Sequence, residues 1–341
     1  MKTLFTGDLQ TIAGSGNLLD AWREFSRDKR GKRDVQEFSL HLADNLLSLR
    51  DDMLHHIYRH GGYQAFRISD PKPRDIHKAS VRDRLLHHAL YRVLYPFFDR
   101  TFIADSFSCR IGKGTHRALN RFRSFAYAVS RNHTRTCWVL QCDIRKFFAN
   151  IDHGVLMKIL RVYIPDADIL QLFGEVVDSF SSARPGVGLP LGNLTSQLLV
   201  NIYMNEFDRF VKYKLKVSHH IRYADDFVIL SEDRGLLEWF LPVIRDLLHD
   251  ELRLELHPDK VFIKTLASGV DFLGWVHFPD HRVLRTSTKR RMFKRVVVAE
   301  KQGTADSYLG LLRHGNAHKL SEGVQQLLSM PKPSWGFYYS G

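Results

Sequence analysis

Cysteine is scarce in this chain of 341 residues. Cys109, Cys137 and Cys142 form an odd set with no Cys-x-x-Cys pair. That argues against a disulfide framework and fits a reducing cytosol, with packing as the ordinary role of each thiol. No apolar run reaches the roughly 18 residues that a membrane span needs, so no membrane partner is expected. The N-terminal MKTLFTGDLQTIAG lacks the continuous apolar segment of a signal peptide. Metal-cage patterns are also missing. His56 and His60 have helical i, i+4 spacing, and His87–His88 and His219–His220 are adjacent pairs. None belongs to a His-Glu-x-x-His motif or a Cys/His set, so a structural zinc is not expected. Gly112-Lys113-Gly114-Thr115 hints at a phosphate loop, but the first glycine of such a loop would fall at Phe107. There is no internal repeat and no low-complexity linker. Acidic residues are the minority charge: 37 Asp and Glu against 50 Lys and Arg, a net charge of +13. That excess suits a polyanionic partner, nucleic acid before membrane; a basic surface with no dedicated partner is the plainer alternative.

What remains is a chain with 44% hydrophobic residues, enough for a large core in two or three subdomains. Apolar spacing predicts two helices over 17–58, parted by the basic loop SRDKRGKRD. A strand pair is expected over 63–78, where YQAFRI alternates and SDPKP turns. Helices are predicted near 81–98, 115–131, 153–163, 194–215 and 235–252. TCWVLQCDI reads as a buried strand ending at Asp143. ARPGVGLPLGN is a loop that opens onto the helix from 194, with Asn193 or Thr195 as cap. VDFLGWVHF and RVLRTS read as a hairpin over 270–287, and the basic tail from Lys289 as a separate helical domain.

The stretch IRYADDFVIL places Asp225 and Asp226 side by side between two apolar strands. Unpaired charges are costly to bury. A hairpin tip presents them to a cleft while its strands stay covered. Three carboxylates gathered with Asp143 would repel one another unless divalent cations lay among them, and hard oxygen ligands suit Mg²⁺. Two such ions are a known solution to phosphoryl transfer. A solvated Asp-Asp turn is the competing explanation.

The order of blocks favours chemistry. QCDIRKFFANID, GLPLGNLTSQLLVNIYMNEFDRF, RYADDFVIL, LRLELHPDKVFI and VDFLGW together resemble the A to E motifs of reverse transcriptases. PKPRDI, VRDRLLHHALYRVLYPFFD and DSFSCRIGKGTHRAL resemble the fingers blocks of bacterial members. The resemblance covers roughly residues 60 to 320. Within the family, LGNLTSQ is similar to the reverse transcriptases of diversity-generating retroelements, as are NLLDAWRE, PKPR and SYLGLLRHGNAHKL. Leu191 stands where retroviral and group II intron enzymes usually carry Gln, and Gln197 where they carry Pro. Ala224 departs from the Met that many members have in the hairpin motif.

The resemblance implies an α+β right-hand polymerase fold. Its parts would be an N-terminal helical extension (1–60), fingers (61–135), a palm with an antiparallel sheet (136–278, lending 165–195 partly to the fingers) and a helical thumb (279–341). It implies that Asp143, Asp225 and the carbonyl of Ile144 ligate two Mg²⁺ ions, for which Mn²⁺ substitutes, with Asp226 as the further carboxylate. Lys260 would protonate the leaving pyrophosphate. Phe148 would be the gate against a ribose 2′-OH. Phe147 is its neighbour, and the two rings cannot both face one way, so core packing of Phe148 stays open. Arg74 and Arg84 would meet the triphosphate, and Leu191 and Gln197 the templating pair. Arg110 would lie by the template. Phe272, Leu273, Gly274 and Trp275 would grip the primer, and Lys289, Arg290 and Arg291 would begin the thumb. For each arginine a plain surface role is the alternative. Expected partners are template RNA, cDNA, dNTPs and a basic accessory variability protein oligomer, in bacterial or phage-infected cytoplasm. No maturase endonuclease or RNase H-like region is expected. A stand-alone antiphage-defence reverse transcriptase is the other reading, and a binding module with a dead site the rival from another class.

Overall fold

The N-terminal amphipathic stretch folds as four helices, not two: α1 (Leu9–Ala13), α2 (Ser15–Ser26), α3 (Arg33–Leu40) and α4 (Leu42–Leu54). The basic loop does part α2 from α3. The extra break falls at His41, whose φ −120°, ψ 41° is not helical. These elements belong to a computed structural model that describes residues 3–69, 73–298 and 302–329. Next come β1 (Gln64–Ile68) and β2 (Arg74–Lys78), an antiparallel pair in the register Phe66↔Ile76. Helices α5 (Val81–Asp99) and α6 (Thr115–Val129) follow. Strand β3 (Trp138–Asp143) leads to α7 (His153–Tyr163), α8 (Ala167–Asp178) and α9 (Leu194–Arg209). Then follow β4 (His220–Tyr223), β5 (Asp226–Ser231), α10 (Arg234–Asp250) and β6 (Phe262–Thr265). The chain closes with β7 (Val270–Phe272), β8 (Trp275–His277), β9 (Arg282–Leu284), α11 (Thr286–Val298), α12 (Gln302–Leu312) and α13 (His318–Ser329). Where one hairpin was expected over 270–287, three strands form, because Leu273 and Gly274 make a second tight turn.

Contacts divide the chain into two compact units. The first comprises 1–114, 141–229 and 235–262; the second comprises 115–140, 230–234 and 263–341. A four-stranded sheet has the order β4-β5-β3-β6. The first unit is built on α5 and α9. Ser80 caps α5 by accepting from the Asp83 N–H, and its hydroxyl donates to Asp83 Oδ2 at 2.6 Å. Tyr58 donates to Asp83 Oδ1 at 2.7 Å, so this buried carboxylate is satisfied at the helix start. α2 packs along α5, where Arg92 bonds Asn17 and Asp20. α9 is buried on nearly every side, from Thr195 to Asp208. In the second unit, Phe122 of α6 packs on Phe272 with ring centroids 5.5 Å apart. Cys137 and Cys142 are buried, and burial raises both thiols to about 12, as their packing role requires; Cys109 is exposed.

Candidate active site

The acidic residues come together through two connections. Asp143 ends β3, and its carbonyl accepts the His257 N–H at 2.7 Å. Ile144 bridges Leu256 antiparallel, and the Ile144 N–H donates to the Asp225 carbonyl at 3.2 Å. β4 and β5 pair with Tyr223 opposite Asp226, which leaves Ala224 and Asp225 as a two-residue turn. Asp225 therefore sits in the turn, while Asp226 begins a strand.

The electrostatics report crowding. Burial raises the pKa of Asp225, the Asp143 charge raises it further, and Lys260 and Arg74 oppose the rise. Asp226 is raised more, by burial, then by Asp225 and Asp143. Lys260 Nζ bonds Asp143 Oδ2 at 2.8 Å. It is delivered there by the short 3-10 helix Pro258–Lys260, just past the segment that pairs with Asp143. Among the described residues, no three His, Cys, Asp or Glu side chains already form a metal cage. The donor set still fits Mg²⁺: hard carboxylate oxygens with negative charge in excess of the lysine that offsets it.

The surrounding elements place the other expected residues unequally. Phe147 is 3% exposed and belongs to the core, whereas Phe148 is half-exposed. The Phe148 carbonyl accepts the Leu189 N–H at 2.8 Å, which ties its backbone to the GLPLGN loop. That loop is tied to β2: His77 N–H donates to the Leu191 carbonyl at 3.1 Å, and Asn193 Nδ2 to the His77 carbonyl at 3.2 Å. Gly192 has φ +102°, and a Cβ there would lie 2.9 Å from Ile76, so only glycine allows this approach. Arg74 on β2 is exposed and acts on Asp225. Gln197 is half-buried in the first turn of α9.

Four of the expected residues are already engaged within the chain. Arg84 bonds Asp34 at 2.7 Å and lies over Phe25, so its charge is already engaged by the N-terminal helices. Arg110 has only 5% of its side chain exposed. It bonds Asp99 at 2.7 Å and the carbonyls of Ile103 and Ser106, which makes it a clasp for its own loop. Phe272 and Trp275 are each 1% exposed, so only Leu273 and Gly274 of FLGW are left to meet a ligand. Lys289 and Arg290 are exposed on α11, and Arg291 is half-buried.

Sequence reading missed the most heavily bonded side chain near the site. Arg222 is fully buried, as is its partner Asp208. Nε donates to both Asp208 oxygens at 2.9 Å, and Nη2 bonds Asp208 at 2.8 Å and Ser106 Oγ at 3.0 Å. Nη2 also reaches Asn201 at 3.3 Å, and Nη1 donates to the Ala224 carbonyl at 3.2 Å. Ala224 holds φ +56°, costly for a residue with a Cβ. Arg222 thus holds the turn that presents Asp225. A lone arginine inside the apolar run HIRYADDFVIL was the available signal, since a buried charge demands a partner.

Residues 69–277 match the family described as reverse transcriptase (RNA-dependent DNA polymerase). The chain belongs to the reverse transcriptase family. This reverse transcriptase is 27% identical over 295 residues to protein YkfC of Escherichia coli (strain K12), a match covering 73% of each chain. It is 23% identical over 290 residues to the group II intron-encoded protein LtrA of Lactococcus lactis subsp. cremoris, covering 65% of this chain and 47% of LtrA. A telomerase structure from Candida albicans superposes with a TM-score of 0.52 at 12% identity, over 78% of this chain and 54% of that one. The chain thus spans about half the length of LtrA and of that telomerase. The fold is the α+β right-hand polymerase fold.

Proposed function

We propose that this chain copies an RNA template into DNA at the Asp143–Asp225–Asp226 cluster. The observation that carries this is the gathering of three carboxylates, two of them, Asp225 and Asp226, with raised affinity for protons, inside the region that matches the family. The cluster, with the Ile144 carbonyl, would hold two Mg²⁺ ions. When bound, such ions activate the primer 3′-OH and stabilise the leaving pyrophosphate. Lys260 donates a proton to that pyrophosphate, having only to leave Asp143. Phe148 blocks a ribose 2′-OH, and the exposed Arg74 binds the triphosphate oxygens through its guanidinium fork. β1 and β2 then act as fingers, the sheet around β3 and β5 as palm, and α11 to α13 as thumb. The test is dNTP incorporation on a primed RNA template with Mg²⁺ or Mn²⁺. We expect Asp225→Asn to reduce it to background while RNA binding persists; normal incorporation by the variant would sink the assignment.

A finer reading rests on Leu191 and Gln197. A branched apolar Leu191 offers the template–primer pair shape but no hydrogen bond, and a lost polar contact is worth about 1 kcal/mol, roughly fivefold in discrimination. In the diversity-generating reading, the enzyme makes error-prone cDNA from a template-repeat RNA, with errors concentrated at template adenine, and works with a basic accessory protein oligomer. Sequenced cDNA decides it. Errors spread evenly over the four bases and unchanged by Leu191→Gln would leave a stand-alone bacterial reverse transcriptase, in defence or otherwise, without a mutagenic role.

A further inference from the structure

The second unit contains a cavity of about 500 Å³ that none of the acidic cluster lines. Its walls come from α6, the β8–β9 turn and the loop between α12 and α13. Three guanidinium groups line it: Arg123, Arg282 and Arg313. Arg282 uses Nε on the His314 carbonyl and Nη2 on Asn120 Oδ1, leaving Nη1 buried without a partner. Burial and the nearby Arg123 charge both lower the Arg282 pKa, which marks positive charge that nothing cancels. His277 also lines the cavity; it is 3% exposed and its Nε2 has no partner. Burial depresses this imidazole to about 3, so at neutral pH it is uncharged, with its N–H given to the Phe272 backbone and Nε2 presenting a lone pair. Asp280 is an acidic wall residue, and its carboxylate is taken by His281 at 2.7 Å.

The walls are fixed by the surrounding packing. Any Cβ on Gly315 would lie 2.0 Å from the Trp275 indole, so the α12–α13 loop seats flat on that ring. The Asn316 N–H donates to the Arg282 carbonyl at 2.8 Å. A positively charged cavity with an orphaned buried guanidinium nitrogen lacks an anion with acceptor oxygens. Phosphate has that geometry, and guanidinium forks match it. The volume falls in the range of about 300–1,000 Å³ typical of small-ligand sites, larger than a bare phosphate needs. We propose that this cavity binds a phosphate group, borne by a free nucleotide or inorganic phosphate, or by one residue of an RNA chain. The proposal does not depend on the polymerase reading.

Calorimetric titration of the full chain tests it, with inorganic phosphate, ATP and a short single-stranded RNA as probes against chloride at matched ionic strength. We expect saturable binding that Arg123→Gln and Arg313→Gln each weaken by about tenfold or more. Asp225→Asn should bind phosphate as the parent does, which separates this site from the catalytic cluster. Loss with phosphate or ATP assigns a free ligand; loss with RNA alone assigns a backbone phosphate. Asn120→Asp guards against misfolded variants: its carboxylate would keep the Arg282 bond, raise the melting temperature and abolish phosphate binding. Titrations with all three probes that Arg123→Gln, Arg313→Gln and Asn120→Asp leave unchanged would overturn the proposal.

Discussion

Two hairpins of this protein turn through two residues each, and they solve the turn differently. Between β4 and β5 the turn is Ala224–Asp225; between β7 and β8 it is Leu273–Gly274. The second has positive φ at both positions, 51° and 85°, with glycine taking the more open one. Leu273 carries the same left-handed cost as Ala224, and the Gly274 carbonyl is held by the Arg285 N–H at 3.0 Å. The first has positive φ at Ala224, 56°, and an aspartate beside it. Its strain is held from outside: the Ala224 carbonyl by Arg222, the Asp225 carbonyl by Ile144. Both turns lean on bonds from beyond their two residues; the one that presents a carboxylate adds a fully buried side chain, Arg222, to hold it.

Breaking those bonds should have the largest effect. Arg222→Met leaves Asp208 buried and unpaired, a loss of about 3–5 kcal/mol in urea unfolding. Arg222→Met with Asp208→Leu should recover much of the stability, because an apolar pair of similar volume is tolerated. Incorporation should stay low in the double variant, since nothing then holds the Ala224 carbonyl. Full activity there would mean the turn holds itself. The adjacent rings come next. Phe147→Ala should cost about 3–5 kcal/mol as a core cavity. Phe148→Ala should change stability little and admit ribonucleotides; permissiveness in Phe147→Ala alone would reverse the assignment.

Acid should weaken the fold at mildly low pH. Burial depresses His87 and His277 to about 3, and His88 and His220 to about 4. The unfolded chain titrates them near 6.5. Above that pH both states are neutral and the full stability is present. As pH falls below about 6.5, these four histidines take up protons only in the unfolded chain, so stability declines towards pH 4, a loss that Asp225 and Asp226, which take up protons first in the folded chain, partly offset. Urea midpoints that hold constant between about pH 7 and 5 would contradict this burial. The smallest effects test the turns directly. Gly274→Ala should lose about 1–2 kcal/mol, since φ +85° disfavours a Cβ although the space is nearly open. Ala224→Gly relieves its strain but loosens the unfolded chain, so it should change stability by less than about 1 kcal/mol. Equal losses at both turns would remove the distinction.

Much of this protein could be read along the chain. Alternation and apolar runs located β1, β2, β3 and the β4–β5 pair, and helical spacing located α5, α6, α7 and α10, because both report local burial. The helix α8 was not anticipated, nor were the break at His41 and the third strand over 282–284. Motif order singles out Asp143, Asp225 and Asp226.

Tertiary structure decided which charges meet. Asp208 and Arg222 lie on different elements, and only the path of α9 past β4 makes them a pair. Lys260 reaches Asp143 because residues 255–257 lie against 143–145. Arg84 and Arg110 turned inward to Asp34 and Asp99, which no spacing foretold. Of two adjacent phenylalanines, the fold buried Phe147 and left Phe148 half-exposed. Periodicity encodes whether a residue faces the core, a property of its own neighbourhood. A charge is stabilised by whatever distant segment the fold brings within about 3 Å of it, and that distance exists only once the chain has folded.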